Sequence, residues 1–399
     1  MTIMSLSVRS KPYIIPEYSL TGDLLSYLTC GLQYRYQNKG TLPPSMPIQL
    51  WFGEFIHGVM EEAYLQWKDN DLKEFPWDWK TQIRSIEELI DKRLRSRGLY
   101  PPSNLFCPYY EEDHQQGFCD DLEHPHKLVA SQRAEAAINT WGPHLFPLID
   151  DAEVRLKGIR DMPQYQKGIS RSNYYGITGV IDVLSSVNME VHSSSSNLIL
   201  KILEEDPIFK KKVESFDSKN YEIIIDYKGM KRPPVNSPSW NHHQWQVLTY
   251  SWLRSMQNDS NPVAKGILFY LNELVPFKGD IGDIKADVMS ENTDVMPLGE
   301  DKHKILKWYS KKDIPELSDN FKIKRSIRLI DMDYESIQHS LREFDNVVED
   351  IEKCTVAEIN GAGIQKSWHP RPEKRTCDAC DFKTFCNNPE PSSQRFSVP

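Results

Sequence analysis

The stretch Tyr221-Glu222-Ile223-Ile224-Ile225-Asp226-Tyr227-Lys228-Gly229 is an apolar run that closes on two charges. A short run of β-branched and aliphatic residues bounded by polar and glycine-containing segments reads as a buried strand. Upstream, Ile177-Thr178-Gly179-Val180-Ile181-Asp182-Val183-Leu184 reads the same way, and each run carries a carboxylate at or near its C-terminal end. An aspartate beside apolar residues loses solvation and needs a cation, a donor or a proton to hold it there. Two carboxylates from adjacent strands are hard oxygen ligands of the kind that suit Mg²⁺ or Mn²⁺. Side chains alternate along a strand, so Asp226 and Lys228 share one face and Tyr227 takes the other. An ammonium group beside carboxylates of that kind is the equipment for metal-assisted hydrolysis of a phosphodiester.

The pattern of a Gly179-x-x-Asp182 strand followed by Asp226-x-Lys228 resembles the PD-(D/E)XK nuclease superfamily. His57, in Phe52-Gly53-Glu54-Phe55-Ile56-His57, resembles the helix-borne histidine that joins the carboxylates on the metal in RecB-like nucleases. Gln246-x-x-x-Tyr250 resembles the motif that follows the catalytic lysine in that branch. Cys377-x2-Cys380-x5-Cys386, with Cys30 far upstream, resembles the four-cysteine iron–sulfur staple of the AddB, CRISPR-associated RecB-type and exonuclease V families. Glu153, in Ala152-Glu153-Val154-Arg155-Leu156, resembles the acidic residue on the first core strand, although an exposed glutamate in a strand is commonplace.

The resemblance implies an α/β fold with a central mixed sheet flanked by helices, a helical N-terminal insertion and a C-terminal iron–sulfur strap. It implies that His57, Asp182, Asp226 and the Tyr227 carbonyl ligate Mg²⁺ or Mn²⁺. Lys228 then orients the attacking water or stabilises the developing charge, and Gln246 and Tyr250 position the strand. The substrate expected is DNA, single-stranded or with free ends, cut by an exonuclease working in repair, recombination or defence. A helicase, a single-strand-binding protein or a CRISPR integrase would be a fitting partner. Three alternatives stay open: a subunit active only with such partners, a non-hydrolytic DNA-binding module, and a nuclease acting on RNA. For the cysteines, zinc and a [4Fe–4S] cluster both accept thiolates at this spacing. A run whose fourth ligand lies so far upstream is unlike a zinc ribbon of two Cys-x-x-Cys pairs, which favours the cluster.

With 399 residues, 39% hydrophobic and 11% aromatic, the chain has the material for a large core and the composition of a folded protein. Forty-eight Lys and Arg against 57 Asp and Glu give a formal charge of −9, which argues against a polycation that coats nucleic acid nonspecifically. Local basic clusters remain at Lys228, Lys231 and Arg232, at Lys322, Lys324, Arg325 and Arg328, and at Arg371, Lys374 and Arg375. The first sits beside the proposed metal site and is expected to touch backbone phosphates; the second reads equally well as a solvated face. No apolar run approaches a membrane span, so no membrane is expected. Residues 1–18 lack an apolar h-region, which argues against a secretory signal and leaves an organellar transit peptide open. The expected compartment is the cytoplasm of a prokaryote, or the nucleus or mitochondrion of a eukaryote. Seven cysteines in such a chain argue against a disulfide framework. Cys107 and Cys119, near His114, His124 and His126, match no standard zinc finger and read as loop residues.

Periodicity and breakers divide the chain into a flexible 1–18, a helical region over 19–150 carrying Cys30 and His57, a nuclease core over 151–353, and a strap and tail over 354–399. Helices are expected at 19–38, capped by Ser19 or Thr21, and at 48–68, 81–97, 126–142, 241–256 and 334–353. His242 and His243 would either lie close to the site or cap the 241–256 helix. Further strands are expected at 152–156, 263–271 and 326–331. The stretch 187–220, with Ser193-Ser194-Ser195-Ser196, reads as a surface excursion with one short helix, and 272–320 as a second insertion.

Overall fold

The structure is a computed structural model and describes residues 15–38, 48–69, 74–108, 126–167, 169–192, 194–378 and 380–386. Among these, six strands run in chain order as β1 (Glu17–Ser19), β2 (Ile149–Asp161), β3 (Tyr174–Asn188), β4 (Asn220–Lys228), β5 (Val263–Tyr270) and β6 (Ile327–Asp331). The residues group into two compact units, one of 45–154 with 180–337 and one of 1–44, 155–179 and 338–399.

In the first of these units β3 pairs antiparallel with β4, β4 parallel with β5, and β5 antiparallel with β6. This is a mixed sheet, and its helices cover a continuous core. Strand β4 is buried from Tyr221 to Tyr227, as its unbroken apolar run requires of a strand with neighbours on both sides. The helix Ile48–Asp69 buries Trp51, Phe55, Ile56, Val59, Met60 and Ala63 at helical spacing, and Trp51 stacks on Phe55 with centroids 4.6 Å apart. Helices Arg84–Ser96 and Val129–Leu145 join the same core, and Trp141 meets Phe269 of β5 at 4.5 Å.

Several expectations are corrected here. Strand β3 extends to Asn188, and the stretch after it holds two helices, Leu198–Glu204 and Pro207–Glu214. Their Ile199, Leu200, Leu203, Phe209 and Val213 are buried in the main core, so the excursion is structural rather than superficial. Asn197 and Asp206 cap these two helices with their side chains. The insertion over 272–320 is also helical and builds its own cluster from Ile281, Ile284, Val288, Ile305, Trp308, Leu317 and Phe321. Cys107 is buried and disulfide-bonded, against the expectation of free loop cysteines. Cys119, His114 and His124 lie outside the described residues.

In the second unit β1 pairs parallel with the first residues of β3, Glu17 opposite Gly176. Most of the helix Tyr334–Ile359 belongs here and receives arginines along one face: Arg160 on Asp345, Arg171 on Glu352 and Arg35 on Glu358. The expected 19–38 helix is not continuous. Ser19 caps a π-helical turn over Leu20–Leu24, a helix follows over Leu25–Thr29, and another runs over Gly31–Asn38. Cys30 sits in the break in extended conformation, φ −163° and ψ 111°. No helix among the described residues is long and apolar enough to cross a membrane.

Candidate active site

Register brings the two carboxylates together. The pairing of β3 with β4 ends with Val183 opposite Ile225, and just beyond that pair Asp182 comes within electrostatic reach of Asp226. There the Tyr227 N–H donates to Asp182 Oδ2 at 2.8 Å. In the parallel pairing Lys228 stands opposite Tyr270.

The helix Ile48–Asp69 delivers His57 because it approaches β4 closely. A Cβ on Gly229 would lie 2.9 Å from Ile56 Cγ2 and 3.4 Å from Gly53 Cα, so only glycine fits where the strand ends. His57 Nδ1 stands 3.2 Å from Asp182 Oδ2, and its ring meets Tyr227 edge-on with centroids 5.9 Å apart. The helix Pro238–Ser255 delivers Gln246 and Tyr250 in a similar way. It crosses β5 at Gly266, where a Cβ would come within 2.5 Å of Val247 Cγ1.

A continuous polar chain results. Lys228 Nζ lies 2.7 Å from Asp226 Oδ2 and donates to Gln246 Oε1 at 2.7 Å. Gln246 Nε2 in turn donates to the Tyr250 hydroxyl at 2.9 Å. Asp226, in a side chain 2% exposed, has the Lys228 ammonium as its ion-pair partner. Burial, reinforced by the Asp182 charge, pushes the Asp226 carboxyl up to about 6 although Lys228 and His57 pull it down. Burial acts on Asp182 in the same sense, but His57, Lys228 and the Tyr227 N–H outweigh it and hold that carboxyl below its usual range. Burial alone would lower His57; Asp182 and Asp226 reverse this and raise it to about 9, so the ring is an imidazolium in this state.

Glu153 is exposed on β2 with φ 53°, a left-handed backbone in which a glutamate is strained. Its carboxyl is raised by burial and by the charges of Asp182 and Glu61, and His57 opposes this, which places it within the electrostatic reach of the site. The seven residues Glu153, His57, Asp182, Asp226, Lys228, Gln246 and Tyr250 are thus gathered at one end of β4. His243, expected to be near the site or a cap, lies inside its helix; the cap is Ser237, which accepts from the Trp240 N–H at 3.2 Å.

The basic clusters are used differently from expectation. Arg232 is buried, paired with Asp294 and hydrogen-bonded to the carbonyls of Arg325 and Ile327. Arg325 is buried on Glu273, Arg328 is buried on Asp294, and Lys231 pairs with Asp283. Nothing in a linear charge run marks these arginines as internal; their acidic partners are far away in sequence. Of the first cluster, Lys228 alone faces the carboxylates.

Among the described residues no group of three or more His, Cys, Asp or Glu side chains is arranged to hold a metal ion. The donor set nevertheless suits a hard divalent ion, because Asp182 and Asp226 bring two carboxylates together beside His57 at the end of β4. In the other unit Cys30, Cys377, Cys380 and Cys386 are free thiols, each partly exposed. Burial raises the Cys380 thiol, and the neighbouring Cys30 and Cys377 raise it further. The strap lies against the Cys30 helices: Arg371 donates to the Leu28 carbonyl at 2.8 Å, and Tyr36 packs on Phe382 at 5.5 Å.

A comparison with protein families gives a match over part of the chain. Residues 213–387 match the PD-(D/E)XK nuclease superfamily. Members of this superfamily are phosphodiesterase nucleases, and the mixed sheet flanked by helices accords with their fold. The matched segment contains Asp226, Lys228, Gln246, Tyr250, Cys377, Cys380 and Cys386, while Cys30, His57, Glu153 and Asp182 lie before it. A search of curated proteins gave no match to the chain.

Proposed function

We propose that the protein is a metal-dependent DNA nuclease that prefers single strands or free ends, and acts as an exonuclease. The observation that carries this reading is the gathering at the end of β4 of two bonded sets, His57 with Asp182, which accepts from the Tyr227 N–H, and Asp226, Lys228, Gln246 and Tyr250 in a chain. His57, Asp182, Asp226 and the Tyr227 carbonyl would hold Mg²⁺ or Mn²⁺, which polarises the scissile phosphate and lowers the pKa of an attacking water.

The chain's own groups account for the remaining tasks. Lys228 is fixed by Gln246 Oε1, which leaves its ammonium aimed at the carboxylate face, where it orients water and offsets charge developing on the phosphate. Tyr250 holds the Gln246 amide so that its oxygen faces Lys228. Burial of Asp226 keeps that charge in a poorly solvated setting, where each electrostatic contact counts for more than in water. Glu153 adds a further carboxylate at the rim.

The four cysteines are proposed to hold a [4Fe–4S] cluster that ties the strap to the Cys30 helices, coupling cluster assembly to folding of that unit. Iron and acid-labile sulfide in anaerobically purified protein, lost in Cys380→Ser, support this; stoichiometric zinc in their place overturns it.

The catalytic test is digestion of end-labelled single-stranded and duplex DNA with Mg²⁺ or Mn²⁺, comparing wild type with Asp226→Ala. Metal-dependent cutting that disappears in the variant is the expected result, and the labelled products give polarity. If neither protein cuts while both bind DNA, the catalytic reading is overturned in favour of a binding module.

A further inference from the structure

We propose that His243 is a further substrate-contacting residue, whose Nε2–H donates to a phosphate of the bound strand next to the scissile one. This rests on the nuclease reading above and extends the functional face of the Gln246 helix by one turn.

Three observations carry it. Trp240, His243, Gln246 and Tyr250 follow one another at helical spacing on the helix Pro238–Ser255, so His243 shares the face that presents the two site residues. Its Nδ1 lies 3.0 Å from the hydroxyl of Tyr270, and Tyr270 is the β5 residue opposite Lys228. Arg328 stacks on Trp240, with its guanidinium carbon 3.9 Å from the ring, and also bears on the Tyr270 phenol. The imidazole is therefore held from behind by an aromatic and guanidinium frame, while its own surface is only half-buried.

The contact with Tyr270 fits the tautomer in which Nδ1 accepts from the phenol and the ring proton resides on Nε2, away from Tyr270. Burial and the charges of Lys228, His242 and Arg328 keep the ring uncharged, so it supplies a neutral donor beside the ammonium of Lys228. A neutral donor adjacent to a cation suits successive phosphates of one strand: the ammonium offsets charge at one, and the imidazole fixes the position of the next.

The test uses the full chain and a set of single-stranded DNA substrates, each carrying one neutral methylphosphonate in place of a phosphate near the cleavage point. With unmodified DNA, His243→Ala is expected to lower kcat/KM by about 10- to 100-fold, the range for one hydrogen bond to a charged group, mainly through KM. His243→Gln, whose amide places an N–H near the position of Nε2, restores most of it. At one substrate position the methylphosphonate should penalise wild type and leave His243→Ala unaffected, which a purely structural histidine would not produce. Thermal unfolding of each variant confirms that the fold is intact. If wild type cuts, Asp226→Ala does not, and His243→Ala retains the wild-type KM and the full methylphosphonate penalty at every position, this inference is overturned while the nuclease reading stands. If wild type does not cut, it is the nuclease reading that fails.

Discussion

Replacement of Gly229 by alanine tests how the His57 helix is held against the carboxylates. The added Cβ would lie 2.9 Å from Ile56 Cγ2, whereas apolar carbons rest at about 3.5–4.0 Å, so a gap of about 0.6–1 Å must open. Ile56 is fully buried and β-branched on a helix, which leaves its methyl no alternative rotamer. The second neighbour is backbone, Gly53 Cα at 3.4 Å. Helix and strand end must therefore separate, at about 1–3 kcal/mol for overpacking. His57 is the next residue after Ile56, and its contact with Asp182 is already 3.2 Å. A shift of about 1 Å there is expected to lower the cleavage rate by up to about 100-fold. Gly53→Ala is the control on the same interface: its own Cβ would meet nothing within 4 Å, and alanine gains about 1 kcal/mol of helix propensity. Urea unfolding and cleavage of end-labelled DNA, measured for both variants in one buffer, give the comparison. A Gly229→Ala variant with wild-type stability and rate would refute the close-approach account.

Two other outcomes are expected. Arg325 and Glu273 are each 2% exposed, so Arg325→Met, which strands a buried carboxylate, should cost about 3–5 kcal/mol in urea unfolding; adding Glu273→Gln should recover much of that loss. Burial raises the Glu87 carboxyl from 4.5 to about 7, against the pull of Arg84, Ser131 and Trp79. Between those values the folded state binds the extra proton, so stability is greatest on the acid side and falls as pH rises towards 7, by about 3 kcal/mol at most. Unfolding midpoints at pH 5 and pH 8 should show this slope in wild type and its loss in Glu87→Gln; equal slopes in the two proteins would contradict it.

The strands and site helices were largely legible because their signals are local. An apolar run ending in Asp226-Tyr227-Lys228 and the spacing of Trp51, Phe55, Ile56 and Val59 identify a buried strand and a buried helix face without knowledge of neighbours. What escaped was long-range or masked. The serines ahead of Leu198 disguised two core helices whose apolar residues find partners only in the folded sheet. Cys30, by contrast, stands between Thr29 and Gly31, two poor helix formers, a local signal of the break that presents it. Arg232 reads as a phosphate contact, and Arg325 and Arg328 as a solvated face or a phosphate contact, because Asp294 and Glu273, which absorb them, are distant in sequence. Tyr270 lies within an apolar strand pattern that gives no sign of its hydroxyl's contact with His243.

The antiparallel register of β3 and β4, which ends beside Asp182 and Asp226, also fixes where the chain tolerates length change. Side chains alternate with period two, so deleting one residue between Tyr221 and Ile225 would turn Asp226 toward the main core and bring Tyr227 to the reacting face. Extra residues in the exposed turn around Asp217, between the helix Pro207–Glu214 and β4, leave the pairing untouched and should pass unnoticed. A scan of single-residue insertions and deletions would therefore trace the site as a sharp boundary at the start of β4, permissive on one side and inactivating on the other.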